Sequence, residues 1–176
     1  MIRAVVLHPP VAEYYAGFEH AEGELAHIGD ALGVDVVVGR LAAGWTRFHQ
    51  NDGNNNEDWY GWGVLLLAPI AGTVESVRIN EVTNRPGEMG KPPASAITFL
   101  AVDGLRVVYG HVQDVRVRVG DEVRPGDVVA LIGNNGMSRN PHVHIGAWRD
   151  EQPLQIRFDL AALARVRRDV VEPRRD

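Results

Sequence analysis

From about residue 64 onward the chain is a train of short apolar runs cut by turn residues, and that rhythm confines it to a mainly β, antiparallel architecture. The runs are VLLLAP (64–69), GTVESVRI (72–79), AITFLAV (96–102), LRVVYGHV (105–112), DVVALIG (127–133) and HVHIGAW (142–148). Asp103-Gly104 between two of them is a hairpin signal, because both residue types tolerate the positive φ of a tight turn. Val119-Gly120-Asp121 and Pro125-Gly126-Asp127 supply two more turns, so the doubled rhythm of VRVGDEVRPGDVV reads as two hairpin edges. An antiparallel β-sandwich or partly open barrel follows. The 176 residues suffice for one core without disulfide or metal staples.

The rest of the chain is less regular. Residues 80–94 hold three prolines and two glycines and form a loop, either a rim over a groove or a solvated excursion. Asp159 can N-cap a short C-terminal helix over LAALARVRR, whose arginines fall near its negative end. Near the N-terminus VDVVVG (34–39) reads as a strand, whereas residues 12–32 have a helix-compatible composition with poor periodicity. The expected organisation is an N-terminal extension over 1–45 packing on the core, a β domain over 46–160 and a helix and tail over 161–176.

Composition removes several function classes. Without cysteine there are no disulfides, thiolate zinc sites or cysteine nucleophiles, and His, Asp and Glu remain as the strong metal ligands. The net charge is −5 and no basic stripe is interleaved with aromatics, which argues against nucleic acid. No segment is long and apolar enough to span a membrane, and the first residues lack the apolar core of a secretory signal. The chain as it stands therefore reads as cytoplasmic, or as secreted if a signal segment has been removed from it.

Histidine carries the chemistry. His142 and His144 are two apart on an expected strand, so both imidazoles face one side and can reach one small object such as a metal ion. His111 ends another strand in Tyr109-Gly110-His111, and His49 lies in a polar stretch that contains Asp52 and Asp58. His8, His20 and His27, in the weakly patterned N-terminus, read as ordinary surface or core residues.

These pieces, with GVLLLAPIAGTV (63–74), VRVGDEVRPGDVVALIGNNG (117–136) and PHVHIGAW, occur in the order seen in the M23 peptidases, and the chain resembles that family of lysostaphin- or LytM-like zinc metalloendopeptidases over residues 48–148. The resemblance implies the LytM, duplicated-hybrid-motif type of β fold and one Zn²⁺. It makes His49, an aspartate and His144 the metal ligands, with His111 and His142 facing a bound water and the scissile carbonyl. Asp58 is the expected carboxylate, since it lies close before the first glycine of GVLLLAP, and Asp52 is then a turn residue of Asp-Gly. Tyr109, Asn134 and Asn135 either support the site and its substrate or, for the asparagines, only shape a turn. Trp45, Trp59, Tyr60, Trp62 and Trp148 are either core aromatics or the walls of a groove.

The implied function is hydrolysis of an amide bond by a metal-activated water, with a peptide or peptidoglycan cross-link as substrate. The alternatives are an intracellular enzyme acting on a small amide or biosynthetic intermediate, and a non-catalytic activator of other hydrolases. A lipoyl or biotinyl carrier would need a lysine in a hairpin, and the single lysine, Lys91, lies in the proline-rich loop.

Overall fold

The runs named above become strands that segregate by face, and the groove that holds the histidines follows from that. A computed structural model describes residues 3–24 and 31–171; His27 and the end of the C-terminal tail lie outside the described residues. Its strands are β1 (Ala4–Leu7), β2 (Tyr15–Glu19), β3 (Val34–Val38), β4 (Arg40–Ala42), β5 (Trp45–Arg47), β6 (Leu65–Leu67), β7 (Gly72–Arg78) and β8 (Ala96–Leu100). They continue with β9 (Arg106–Gly110), β10 (Val112–Gln113), β11 (Glu122–Val123), β12 (Val128–Ile132), β13 (Val143–Arg149), β14 (Gln152–Pro153) and β15 (Gln155–Phe158), and α1 (Leu160–Val171) closes the chain.

The main sheet runs β11-β7-β8-β9-β13-β3-β2, with β14 also paired to β13, and a second sheet runs β10-β12-β6. The sheets do not close into a barrel, as an open antiparallel arrangement allows. Alternation decides which face is buried. Ile97, Phe99, Val107, Tyr109, Val143, Ile145, Val34, Val36 and Val38 turn one way, into the core shared with Leu66, Val129 and Ile132 of the second sheet. Ala96, Thr98, Val108, Gly110, His144, Trp148, Asp35 and Val37 turn the other way and line an open groove.

The turns behave as their residues require. Asp103-Gly104 closes the β8–β9 hairpin with Gly104 at φ 80° and the Leu105 N–H donating to Asp103 Oδ1 (3.2 Å). The doubled rhythm is a pair of equivalent turns: Arg118 N–H donates to Asp121 Oδ2 (2.8 Å) and Arg124 N–H to Asp127 Oδ2 (2.7 Å). Asp159 caps α1 by accepting from the Ala161 and Ala162 N–H groups (2.8 and 3.0 Å).

The N-terminal part differs from the expectation of an extension laid on a finished core. β2 and β3 are strands of the main sheet, and β1 pairs in parallel with β15. Arg167 of α1 donates to the Ala12 and Glu13 carbonyls (3.1 and 2.9 Å), which ties the two ends of the chain together. Within residues 12–32, where the composition is compatible with a helix, YAGFE forms β2: the aromatic side chains suit a pleated surface, and Tyr15 packs edge-on against Phe158 at 5.7 Å. Among the described residues no helix is long and apolar enough to cross a membrane.

Candidate metal centre and its groove

Three strands and one left-handed residue bring the histidines together. His144 on β13 is directly opposite Asp35 on β3 and Gly110 on β9, so the ladder register alone sets an imidazole beside a carboxylate. His144 Nδ1 lies 2.7 Å from Asp35 Oδ1. His20, which follows β2, brings Nε2 to 3.5 Å from Asp35 Oδ2, and its ring stacks on that of His144 with centroids 5.2 Å apart. His142 Nε2 is 3.5 Å from Asp35 Oδ1. His111 completes the cluster, 4.6 Å from the His142 ring and 6.2 Å from that of His144. It gets there because its φ of 62° breaks the strand alternation immediately after Gly110.

His111 and His142 are each held at one ring nitrogen by a carbonyl. Asn135 O lies 2.8 Å from His111 Nδ1 and Asn140 O lies 2.8 Å from His142 Nδ1. A carbonyl only accepts, so each Nδ1 carries a proton and Nε2 is the ring nitrogen left for other partners. Both carbonyls belong to the segment GNNGMSRN, which a second loop supports. Asn84 Nδ2 donates to the Gly136 and Ser138 carbonyls (2.9 Å each), Gly87 N–H donates to Asn140 Oδ1 (3.1 Å), and Asn56 Nδ2 donates to the Asn84 carbonyl (2.9 Å). The loop over 80–94 is thus a rim. It sits so close to its neighbour that a Cβ on Gly136, at φ 65°, would come within 2.4 Å of the Ala94 backbone.

Electrostatics follow from this packing. Burial by itself would raise the Asp35 carboxyl, but the hydrogen bonds and charges of His142 and His144 outweigh it and hold that carboxyl well below the usual carboxylate range. Burial pushes His111 down to about 3, with His142 adding to the shift, so His111 is a neutral imidazole at ordinary pH.

Among the described residues, one group of three His, Asp or Glu side chains can share an ion: His20, Asp35 and His144, whose donor atoms all lie within 4.8 Å of one another. Tetrahedral zinc with ligand bonds near 2.1 Å needs donors about 3.4 Å apart, so two imidazoles and a carboxylate at these separations fit the ion.

The residues expected from the sequence divide between two places. His111, His142 and His144 converge. His49 and Asp58 do not join them. His49 packs on the Trp59 ring (5.0 Å) with Gly53 also close against its imidazole, and is bridged to Trp59 as a small antiparallel pair. Asp58 is a local cap: it accepts from Asn51 Nδ2 (2.7 Å) and from the Asn55 N–H (3.1 Å), and these bonds lower its carboxyl. The polar insertion NDGNNNE folds on itself around that carboxylate and is thereby occupied. Asp35 and His20, the candidate donors that the fold sets beside His144, lie well before the polar stretch preceding GVLLLAP, where the resemblance places the ligand pair. A signal was present, since Asp35 is the one charge in GVDVVVG, and a carboxylate within so apolar a strand demands a partner.

Tyr109 is also elsewhere. It lies on the core face, fully buried, with its ring edge-on to Phe99 and its hydroxyl donating to the Leu67 carbonyl (3.0 Å). Asn134 and Asn135 are buried and act through the loop: Asn134 donates to Asn56 Oδ1 (2.9 Å), and Asn135 receives the Ser95 N–H and donates to the Val112 carbonyl. Of the aromatics, Trp59 and Trp148 line the groove with Phe18 and Phe48, while Trp45 is exposed on the β4–β5 hairpin. The groove has a volume of about 1580 Å³, ample for several residues of an extended chain.

A family model described as Peptidase family M23 matches residues 61–156, more than half of the chain. An uncharacterized metalloprotease of Haemophilus influenzae is 32% identical over 82 residues, covering 47% of this chain and 15% of that protein, so this chain spans only a fraction of that relative's length. The catalytic domain of the prophage-encoded M23 protein EnpA from Enterococcus faecalis superposes with a TM-score of 0.54 at 19% identity, over 81% of this chain and 87% of that one. A zinc-containing peptidase from Vibrio cholerae superposes with a TM-score of 0.52 at 17% identity, over 86% of this chain and 39% of that one. At these identities the structural likeness is one of fold.

Proposed function

The chain belongs to peptidase family M23, and from that premise we propose that it hydrolyses an amide bond with a zinc ion held by His20, Asp35 and His144. The observation that carries this reading is the convergence of those three donors with the two further imidazoles of His111 and His142 in one groove. Three protein ligands leave a coordination position for water, as in other hydrolytic zinc sites. Bound there, the ion would polarise the scissile carbonyl and bring the pKa of a bound water near neutrality.

His111 and His142 handle the proton and the charge. Each is oriented at Nδ1 by a loop carbonyl, which leaves Nε2 for the chemistry. Either Nε2, when unprotonated, would accept a proton from a water, and a ring that carries a proton on Nε2 as well as on Nδ1 would donate a hydrogen bond to the negative charge developing on the carbonyl oxygen. Acceptance requires a neutral ring, which burial secures for His111. The aromatic walls of Phe18, Phe48, Trp59 and Trp148 hold the chain on either side of the bond, so the substrate is a peptide, a peptidoglycan cross-link or a smaller amide.

Metal analysis after zinc reconstitution should find about one zinc per chain, and His144→Ala should lose it. His111→Ala and His142→Ala should retain zinc but lower turnover on a susceptible amide by roughly 10²-fold or more. A reconstituted protein that binds no zinc would overturn the hydrolytic reading.

A further inference from the structure

Ladder register places one cation in line with the histidine cluster. Arg78 on β7 stands opposite Ala96 on β8, Ala96 opposite Gly110 on β9, and Gly110 opposite His144 on β13. Directly opposed residues of antiparallel strands share a face, and all four line the groove. Between the arginine and the histidine the floor carries only a methyl group and a hydrogen, so no side chain rises between them. Strands lie about 4.8 Å apart, which separates the Arg78 and His144 Cα atoms by roughly 14 Å.

The guanidinium is fixed and still has capacity. Arg78 Nε donates to the Ala94 carbonyl (2.8 Å), in the segment that leads into β8, so the head group leans over the strand nearer the histidines. Ala94 lies two residues off that row, so the head group is roughly 12 Å from His144, two strand spacings across and two residues along. Among the described residues no carboxylate lies within ion-pair distance of Arg78, whereas Arg106, two strands further in, is taken by Glu75 (2.8 Å). A guanidinium pinned through Nε keeps its two terminal nitrogens, a fork that matches a carboxylate. The other ionisable groups lining the groove outside the histidine cluster are Arg139, whose terminal nitrogen donates to the Gly87 carbonyl on the same rim, and Glu151, beyond Trp148 in the β13–β14 hairpin. The rim carries positive charge and the far end negative.

We infer that Arg78 forms an anion subsite of the groove, selecting amide substrates that carry a carboxylate roughly 10–14 Å, three to four extended residues, from the bond that is cut. This rests on the hydrolytic reading above. A C-terminal carboxylate and an acidic group on the other side of the bond offer the same chemistry, and the test separates them.

The zinc-loaded full chain is given Ala/Gly peptides of three to eight residues in three forms: N-acetyl free acid, N-acetyl amide, and N-succinyl amide. One of the two charged forms should be cut at least about tenfold faster in kcat/KM than the neutral form, with an optimum when its carboxylate lies three or four residues from the cleaved bond. Arg78→Gln should bring the charged peptide down to the neutral peptide's rate, and Arg78→Lys should retain part of the preference, as a point charge without the fork does. Equal rates for charged and neutral peptides, or a preference that survives Arg78→Gln, would overturn the subsite. Should no peptide be cut, the hydrolytic reading fails by itself, and the subsite is judged from quenching of the groove tryptophans by the same peptides: equal affinity for charged and neutral forms overturns it, tighter binding of the charged form that Arg78→Gln abolishes supports it.

Discussion

Zinc-linked stability separates the proposed ligand set of His20, Asp35 and His144 from the one the resemblance implies. An ion that binds only the folded chain adds about 2.7 kcal/mol at a free concentration of 100 times its Kd. In a domain of this size each kcal/mol moves the midpoint by about 2–4 °C, so zinc should raise the melting temperature by about 5–10 °C over the chelated protein. Asp35 stands between both imidazole donors, 2.7 Å from His144 and 3.5 Å from His20, so Asp35→Asn removes the anion that all three partners share. The zinc-dependent shift should then fall to about 1–2 °C or less, because affinity drops until the same zinc no longer saturates the site. Asp58→Asn should lower the melting temperature of the zinc-free protein, through the bonds from Asn51 and Asn55, yet leave the zinc-dependent shift intact. Calorimetric scans of both variants, each with chelator and with zinc, give the four numbers needed. A full shift in Asp35→Asn together with its loss in Asp58→Asn would refute the reasoning and restore the carboxylate that sequence position favours.

Three further outcomes are expected. Tyr109→Phe leaves the buried Leu67 carbonyl without its donor and should cost about 1–3 kcal/mol of stability by denaturant titration, with zinc content unchanged. Asn84→Ala frees the Gly136 and Ser138 carbonyls and loosens the segment whose carbonyls orient His111 and His142; kcat should fall between about tenfold and a hundredfold while zinc affinity holds, measured by turnover and by competition with a chromophoric chelator. Asp159 has its carboxyl lowered, first by the Ala162 N–H and then by that of Ala161, so its contribution to α1 is present above the ordinary carboxylate range and lost as pH falls through the folded-state value. Asp159→Ala should therefore destabilise the chain at neutral pH and converge with the parent in acid, read from melting temperatures across pH 2–7.

The fold was legible because turn chemistry and period-2 alternation are local. Asp-Gly, Gly-Asp and the apolar runs specify hairpins within ten residues, and the runs from residue 64 to 148, the turns between them and the helix cap at Asp159 fall where those residues put them, whereas β14 and β15 carried no such signal. The site was legible only as far as it is local. His142 and His144 share a face by strand geometry, and His111 ends a strand beside them. Asp35 and His20 sit more than 100 residues from His144 in sequence, and their approach depends on β3 pairing with β13, a choice among sheet neighbours that composition does not announce. Tyr109 was misplaced for a local reason: it is two residues before His111, which on a regular strand would put both on one face, but the φ of 62° at His111 turns that histidine out of register.

This division has a mechanical consequence. His144, Asp35 and Gly110 occupy one row of the main sheet, so the geometry of the ion site is inherited from ladder register, which a one-residue slip would destroy entirely. His111 and His142 are aimed instead by carbonyls of a loop that a second loop holds in shape. Perturbations of the sheet should therefore act on metal binding, and perturbations of the rim on turnover. In such a fold the rim can change to suit a different substrate while the ion site stays as the sheet made it, and the anion subsite at Arg78, set on the sheet but pinned to the rim, belongs to both parts.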